Sequence, residues 1–237
     1  MKRRKNPIRF REAWQGMAAL MKNPDDTGQV FKIIRALAGN AGERQFQRFR
    51  ASEHGRTILA ENRSLADRLS DRAYLASLPA GSLGRVYADF TDREQISPAG
   101  LIEASESVPN DGQPVDRERM LFGARMRDSH DLWHVVTGYG RDLVGEAALL
   151  AFSYRQTRNR GIGFIVLVAY LRAGRVSPEH RVMIRDGYRR SKNASWLPSA
   201  DWEALFARPL DEVRRTLGVV PVESYSELRS DGAPAHA

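Results

Sequence analysis

The run HDLWH, residues 130–134, holds the side chains of this sequence best suited to chemistry. On a helix, positions i and i+4 share a face one turn apart, so His130 and His134 can present ring nitrogens to one point. Asp131 lies beside them around the helix. Imidazole and carboxylate groups are common ligands of zinc and other divalent metals. The run therefore predicts a metal site, and the alternative is a pair of structural histidines.

Glu146 is a candidate for a further ligand. It is flanked at helical spacing by Leu143, Leu149 and Leu150, which should turn its carboxylate toward the core. An unpaired ionised carboxylate is costly there, so Glu146 must be protonated, paired with a cation or bound to a metal. A buried polar network without a metal is the alternative.

Gly138 and Gly140 predict a turn that can fold the helix of Glu146 back against the histidine helix. We therefore predict one metal ion with four ligands: His130, Asp131, His134 and Glu146. Zinc suits this mixed nitrogen and oxygen set, and iron(II) suits it if positions stay open for substrate or dioxygen. Arg127, one turn before Asp131, can pair with that carboxylate or hold a substrate anion.

The elements that must position these residues are helical. Apolar residues recur at helical spacing and no stretch alternates as a strand does, so we predict an all-α fold. The expected helices cover 27–39, 43–72, 85–95, 117–136, 161–174 and 178–190, with one more beginning near Asp142 and one between Pro209 and Gly218. Residues 97–116 are rich in Pro, Gly, Asn and Ser and predict a loop.

The 237 residues, of which 42% are hydrophobic, are enough for one sizeable core. We predict a basic amphipathic arm (1–22), a single-domain helical bundle that carries the metal site (23–225) and a disordered tail (226–237). The chain contains no cysteine. This excludes a disulfide framework and a thiolate metal site, and it fits the cytoplasm.

The formal net charge of +8 indicates an anionic partner. In the arm, Ile8, Phe10 and Trp14 are interleaved with Lys and Arg. The arm therefore lies in an anionic membrane surface, packs on the core as a solvated basic helix or, being Arg-rich and poor in acid, serves as a transit peptide. Nucleic acid is not an expected partner, because no recognition motif accompanies the charge. The longest uncharged apolar run, 161–171, is shorter than the roughly 20 residues that span a bilayer.

The spacing of the four predicted ligands resembles the HDxxH(x11)E signature of the Coq-four family of ubiquinone (coenzyme Q) biosynthesis proteins. All four signature positions are filled. Further segments also resemble the family: NPDDTGQVFKIIRAL (23–37), LPAGSLGRVYADF (78–90), LVGE (143–146) and LDEVRRTLGVVP (210–221). The resemblance implies an all-helical peripheral membrane protein acting late in ubiquinone synthesis, with the metal bound by the signature residues.

The resemblance further implies an enzyme, a metal-dependent lyase. It would remove the ring carboxylate from a polyprenylated hydroxybenzoate, coupled to oxygenation at the same carbon. The expected partners are this substrate, an anionic membrane surface and other ubiquinone-biosynthesis proteins, and a homodimer is allowed. A bacterial protein would lie on the cytoplasmic face of the inner membrane, and a eukaryotic one on the matrix side of the mitochondrial inner membrane.

For such a substrate, the expected catalytic set is the four metal ligands with Arg127, and Arg125 is a second candidate partner for the substrate anion. The prenyl tail needs an apolar slot. Five residues of the run 161–171 could line it: Ile162, Phe164, Ile165, Leu167 and Val168. The alternative for this run is an ordinary buried helix.

Other functions remain open. A non-catalytic scaffold that presents prenylated intermediates to a ubiquinone biosynthetic complex would keep the slot but would not need Glu146. A phosphohydrolase needs additional upstream histidines, and the only one here is His54. A zinc peptidase is disfavoured, because Asp131 stands where such enzymes place a glutamate as general base.

Overall fold

The computed structural model describes residues 7–106 and 116–229, and every regular element within these ranges is a helix. The predicted all-α class is confirmed. The α-helices in chain order are α1 (Phe10–Lys22), α2 (Thr27–Leu37), α3 (Ala41–Ala51), α4 (Glu53–Glu61), α5 (Leu65–Ser70), α6 (Arg72–Ser77), α7 (Leu83–Arg93), α8 (Pro98–Glu106), α9 (Arg117–Asp128), α10 (His130–Thr137), α11 (Leu143–Thr157), α12 (Arg160–Val176), α13 (Pro178–Arg190), α14 (Trp202–Leu205) and α15 (Leu210–Leu217). None of these helices is both long and apolar enough to span a bilayer.

Polar side chains and glycines set the ends of the helices around the predicted site. The carboxylate of Asp142 accepts the N–H groups of Val144 and Gly145 at 3.0 and 3.2 Å, which starts α11. Gly138 and Gly218 end α10 and α15 with φ angles of 78° and 63°, a left-handed conformation that suits glycine. The predicted boundaries at these residues are confirmed.

Helix α10 lies in the largest hydrophobic cluster of the described residues. Its residues 131–137 are all buried. The cluster also contains buried side chains from α7, α11, α14 and α15: Leu83, Tyr87, Phe90, Leu149, Phe152, Trp202 and Val213. Dense packing fixes the rotation of a buried helix about its axis, and this sets the direction in which the α10 histidines point.

Helix α1, which covers most of the predicted arm, packs on the rest of the molecule. Ala13 and Met17 are buried in a cluster with Ile33 on α2 and Ile165 on α12. Another part of the α1 surface stays exposed, with Phe10 at 71% and Trp14 at 64% of full exposure. The arm thus packs on the core and also presents aromatic side chains to the outside. Residues 1–6 of the arm lie outside the described ranges.

The predicted loop over 97–116 is wrong for its first part, because Pro98–Glu106 form α8. The side chain of Ser97 accepts the N–H of Gly100 at 3.4 Å. Pro98 occupies the first helical position, where a missing N–H costs nothing. The same residue types signal a helix start as well as a turn. Residues 107–115 lie outside the described ranges.

The helix predicted over 117–136 is interrupted at Ser129. The structure has two helices, α9 and α10, and the N–H of Ser129 bonds to the carbonyls of both Arg125 and Arg127. The Ser129 hydroxyl donates to the carbonyl of Met126 at 3.4 Å. A serine that bonds its own backbone in this way favours a break in a helix. The break comes directly before His130.

The chain after α15 returns to α11. The N–H of Leu228 donates to the Asp142 carboxylate at 3.1 Å, and the N–H of Leu143 donates to the carbonyl of Leu228 at 2.8 Å. The start of the predicted tail, 226–229, is therefore held against the turn before α11. The rest of that tail, 230–237, lies outside the described ranges.

Candidate metal centre

Three of the four predicted ligands converge. One nitrogen from each of His130 and His134 and one oxygen of Glu146 all lie within 4.8 Å of one another. The Glu146 carboxylate faces both imidazoles, with Oε1 3.4 Å from Nε2 of His134 and Oε2 3.9 Å from Nε2 of His130. Two imidazoles and a carboxylate are a ligand set of catalytic zinc sites, which leave one position for water or substrate.

The turn between α10 and α11 brings these side chains together. Gly138 ends α10, and α11 starts after Asp142 and carries Glu146 in its first turn. The turn packs closely on that first turn, since a Cβ on Gly145 would come within 2.3 Å of the carbonyl oxygen of Gly140. The predicted reversal at the glycines is confirmed, and position 145 must be glycine for it.

Both imidazoles are oriented through Nδ1. The Nδ1 of His134 lies 2.9 Å from the carbonyl oxygen of Tyr139, and that of His130 lies 3.3 Å from Oδ1 of Asp131. Since a carbonyl and a carboxylate accept hydrogen bonds, Nδ1 carries a proton in each ring, and Nε2 is left to bind a second proton or a metal ion. Metal-binding histidines are held in this way.

The Nε2 of His134 is the best test of whether these residues fit a metal. It is buried and makes no hydrogen bond within the described part of the chain. Its closest charged group is the Glu146 carboxylate. A buried lone pair facing a carboxylate is unfavourable, and either a proton, which the raised pKa of His134 favours, or a metal ion between the two satisfies both groups. The residues present therefore fit a divalent ion.

Asp131 is placed differently from the prediction. It is buried and contacts Nδ1 of His130, on the other side of the ring from Glu146, and it is not part of the three-residue group. From this position Asp131 orients His130 through the Nδ1 of that ring. The reason is geometric, because a residue adjacent to His130 is turned about 100° around the helix.

Charges at the site are coupled. Burial raises the pKa of the Glu146 carboxyl, but His134 and His130 outweigh this effect and hold that pKa at about 2. Burial lowers the pKa of His134, but Glu146 and Asp131 outweigh it, so that this pKa is raised. Glu146 is therefore ionised at neutral pH, and protons compete with a metal ion for His134.

Comparison with known proteins gives the same family as the HDxxH(x11)E signature. The model of the family described as Coenzyme Q (ubiquinone) biosynthesis protein Coq4 matches residues 11–223. The chain belongs to this family. The resemblance seen in the sequence is thereby confirmed.

Two fungal relatives are both named ubiquinone biosynthesis protein Coq4, mitochondrial. The protein of Talaromyces stipitatus is 32% identical over 185 residues, which are 76% of this chain and 60% of the relative. That of Neurospora crassa is 29% identical over 177 residues, 74% of this chain and 49% of the relative. The matched part of the chain thus covers 49% to 60% of the length of these relatives.

A crystal structure from Nostoc punctiforme, provisionally assigned to ubiquinone biosynthesis, has a similar fold. The TM-score is 0.63 at 21% identity, and the alignment covers 89% of this chain and 96% of that one. At this identity the likeness supports the helical fold alone.

The two arginines predicted to hold a substrate anion are engaged elsewhere in this Coq4-family chain. Arg127 donates to Asp128 at 2.7 Å and does not pair with Asp131. Arg125 donates to both carboxylate oxygens of Glu203, at 2.7 and 2.6 Å, and its side chain is only 2% exposed. Both guanidinium groups therefore have carboxylate partners other than the metal-centre residues.

Arg141 is the cation at the site that the sequence interpretation missed. Its Nε lies 3.7 Å from Oε1 of Glu146, and its side chain is one-third exposed. Its position within the glycine turn, between the two ligand-bearing helices, was the available signal. A partly exposed guanidinium beside a metal site is suited to bind a carboxylate.

The five residues predicted to line a prenyl slot divide into two groups. Phe164 and Leu167 line a half-open, mostly apolar cleft of ≈ 850 Å³ between α1 and α12. Ile162 and Ile165 are buried, and Val168 packs partly buried on the α1–α2 cluster. The predicted arm also lines this cleft, through residues that include Ile8, Phe10, Ala13 and Trp14.

The cleft and the metal centre lie on different parts of α11. Tyr154 lines the cleft, and Glu146 is eight residues earlier, about 12 Å along the helix axis. None of the metal-centre residues lines the cleft. A ligand that used both would need a polar head and a long apolar tail.

Proposed function

We propose that this Coq4-family chain is a metal-dependent decarboxylase of ubiquinone biosynthesis that acts on a polyprenylated hydroxybenzoate at a membrane surface. The observation that carries the proposal is the buried Nε2 of His134, which faces the Glu146 carboxylate beside His130. Family membership supports the pathway. The proposed partners are anionic lipid, other proteins of the same pathway and a second copy of the chain.

His130, His134 and Glu146 would hold the ion, which we propose to be zinc or iron(II). When bound, such an ion supplies Lewis-acid stabilisation of the charge that develops on the substrate oxygens as carbon dioxide leaves. Asp131 and the carbonyl of Tyr139 hold the two rings in the required tautomer. Arg141 offers a partner for the substrate carboxylate.

In the simple reaction, the bond between the ring carbon and the carboxyl carbon breaks, carbon dioxide leaves and a proton takes its place. In the oxidative form, dioxygen is the oxidant. One of its oxygen atoms bonds to that ring carbon and the other leaves as water, while the phenol becomes a quinone. This form balances without a separate reductant.

The proposed decarboxylation is tested by turnover on the full chain, loaded with zinc or iron(II), with prenylated hydroxybenzoate in vesicles. We expect loss of the ring carboxyl group, measured by mass spectrometry as loss of carbon dioxide alone in the simple reaction, or as loss of carbon dioxide and two hydrogens with gain of one oxygen in the oxidative reaction. Neither product should form in Glu146→Gln. Incorporation of label from ¹⁸O₂ separates the oxidative from the simple reaction. Absence of product with each metal, under air and under nitrogen, would contradict the proposal.

A non-catalytic prenyl-lipid scaffold is the second candidate. It is favoured by the cleft, which is apolar and does not include the metal-centre residues. A scaffold would bind the prenylated compound without releasing carbon dioxide, and Glu146→Gln would leave that binding unchanged.

The aromatic face of α1 is proposed to contact the membrane. We expect the double variant Phe10→Ser/Trp14→Ser to bind vesicles with anionic lipid at least about 10-fold more weakly, since burial of one large apolar side chain contributes about 1.5–3 kcal/mol. Vesicle sedimentation measures this. Met120→Ser is the control, because Met120 is also exposed, at 57%, but lies on α9. Equal weakening in both variants would contradict membrane contact through α1.

A further inference from the structure

The segment after α15, residues 219–229, lies against the turn between α10 and α11. We call it the C-terminal strap. The N–H of Val222 donates to the carbonyl of Thr137 at 2.8 Å, where α10 ends. Further along, Leu228 exchanges hydrogen bonds with Asp142 and Leu143, where α11 begins. The strap therefore spans the turn that joins the two ligand-bearing helices.

The hydroxyl of Tyr225 is the point at which the strap meets the inside of this turn. It accepts the N–H of Gly140 at 2.8 Å and donates to Oδ2 of Asp142. A Cβ on Gly140 would lie 3.0 Å from this hydroxyl, and one on Gly145 would lie 2.4 Å from it. The two glycines thus leave just enough space for the phenol.

Both hydrogen-bond partners of this hydroxyl, Gly140 and Asp142, belong to backbone that contacts a metal-centre residue. Gly140 follows Tyr139, whose carbonyl lies 2.9 Å from Nδ1 of His134. Asp142 caps α11, and its own carbonyl accepts the N–H of Glu146 at 2.8 Å. A shift of the Tyr225 hydroxyl would therefore move the supports of His134 and Glu146 together.

We propose that Tyr225 is a positioning residue of the metal centre, which sets the separation between His134 and Glu146 from the far end of the chain. This inference rests on the proposed metal site and goes beyond it. Groups that orient a metal ligand through one intervening hydrogen bond typically contribute a factor of about 10–100 to metal affinity. Tyr225 acts through the turn on two of the three side chains.

The test is Tyr225→Phe in the full chain, which removes the hydroxyl and keeps the ring. We expect zinc affinity, measured by competition with a chromogenic chelator, to fall about 10–100-fold. The visible spectrum of the cobalt(II)-loaded protein should also change. The metal-free variant should remain folded at the temperature of the zinc assay, as should the control Tyr188→Phe, which removes a hydroxyl that accepts from Arg158 on the surface.

Each other outcome overturns the inference, and the outcomes are distinguishable. If Tyr225→Phe binds zinc as tightly as the wild-type chain, Tyr225 has no positioning role while the metal site stands. If the metal-free variant is unfolded at the temperature of the zinc assay while Tyr188→Phe is folded, the hydroxyl serves folding rather than positioning. If the wild-type chain itself binds neither zinc nor iron(II), the metal site and the inference are both wrong.

Discussion

Glu146→Gln is expected to weaken zinc binding by more than about 100-fold. The change removes the charge and keeps the size of the side chain. Because residues that only orient metal ligands already contribute about 10–100-fold, the loss of a direct ligand should exceed that range. Equilibrium competition with a chelator, followed by elemental analysis of the purified protein, measures the effect.

Glu179→Gln is the matched control, because Glu179 also lies in the first turn of a helix, α13, but is exposed. It should bind zinc as the wild-type chain does. The loss of zinc affinity in Asp131→Asn should lie between those of these two variants, at about 10–100-fold, if Asp131 orients His130 rather than binding the ion. Wild-type affinity in Glu146→Gln would exclude the carboxylate as a ligand.

Zinc affinity should decline as the pH falls, because protons compete with the metal ion for His134. The pKa of His134 is raised by Glu146, after the opposing effect of burial. Protonation of His134 therefore begins at a higher pH than for an ordinary imidazole, and wild-type zinc affinity should decline as pH falls through that raised value. Glu146→Gln removes the main cause of the raised pKa, so its residual binding should decline only at lower pH.

The convergence of His130, His134 and Glu146 was predictable because it depends on local rules. The i, i+4 spacing places two imidazoles on one face, the glycines reverse the chain, and Glu146 follows within one turn of the next helix. Each step involves residues close in sequence. Arg141 lies inside the same turn, but its direction depends on the turn geometry, which spacing does not define.

The partners of Arg125 could not be predicted, because they come from a distant part of the chain. Glu203 lies 78 residues later, in the one-turn helix α14, and no periodicity links the two. The same limit applies to the cleft, which forms only because α1 packs beside α12. Patterns within one helix show which residues share a face, whereas the element that covers this face is decided by tertiary packing.

Glu203→Ala is expected to destabilise the protein by about 3–5 kcal/mol, the largest stability effect that we predict. The substitution leaves the Arg125 guanidinium, 2% exposed, without its carboxylate. The carbonyl of Ala200 still accepts from Nη2 at 3.0 Å but carries no charge to balance it. Such a loss is a large part of the total stability of a typical domain. Urea unfolding followed by circular dichroism measures it.

Two further variants separate this explanation from a role of Arg125 in substrate binding. Glu212→Ala removes the partner of Arg208 from a surface pair, and should cost no more than about 0.5 kcal/mol because water replaces the lost contact. The double variant Arg125→Met/Glu203→Leu replaces the buried ion pair by apolar side chains of similar size, and should recover most of the lost stability. It should also bind zinc and turn over substrate as the wild-type chain does, since neither residue belongs to the metal centre. If the double variant is stable but does not turn over substrate, Arg125 has a role in substrate binding. If Glu203→Ala costs less than about 1 kcal/mol, the buried guanidinium does not depend on this carboxylate.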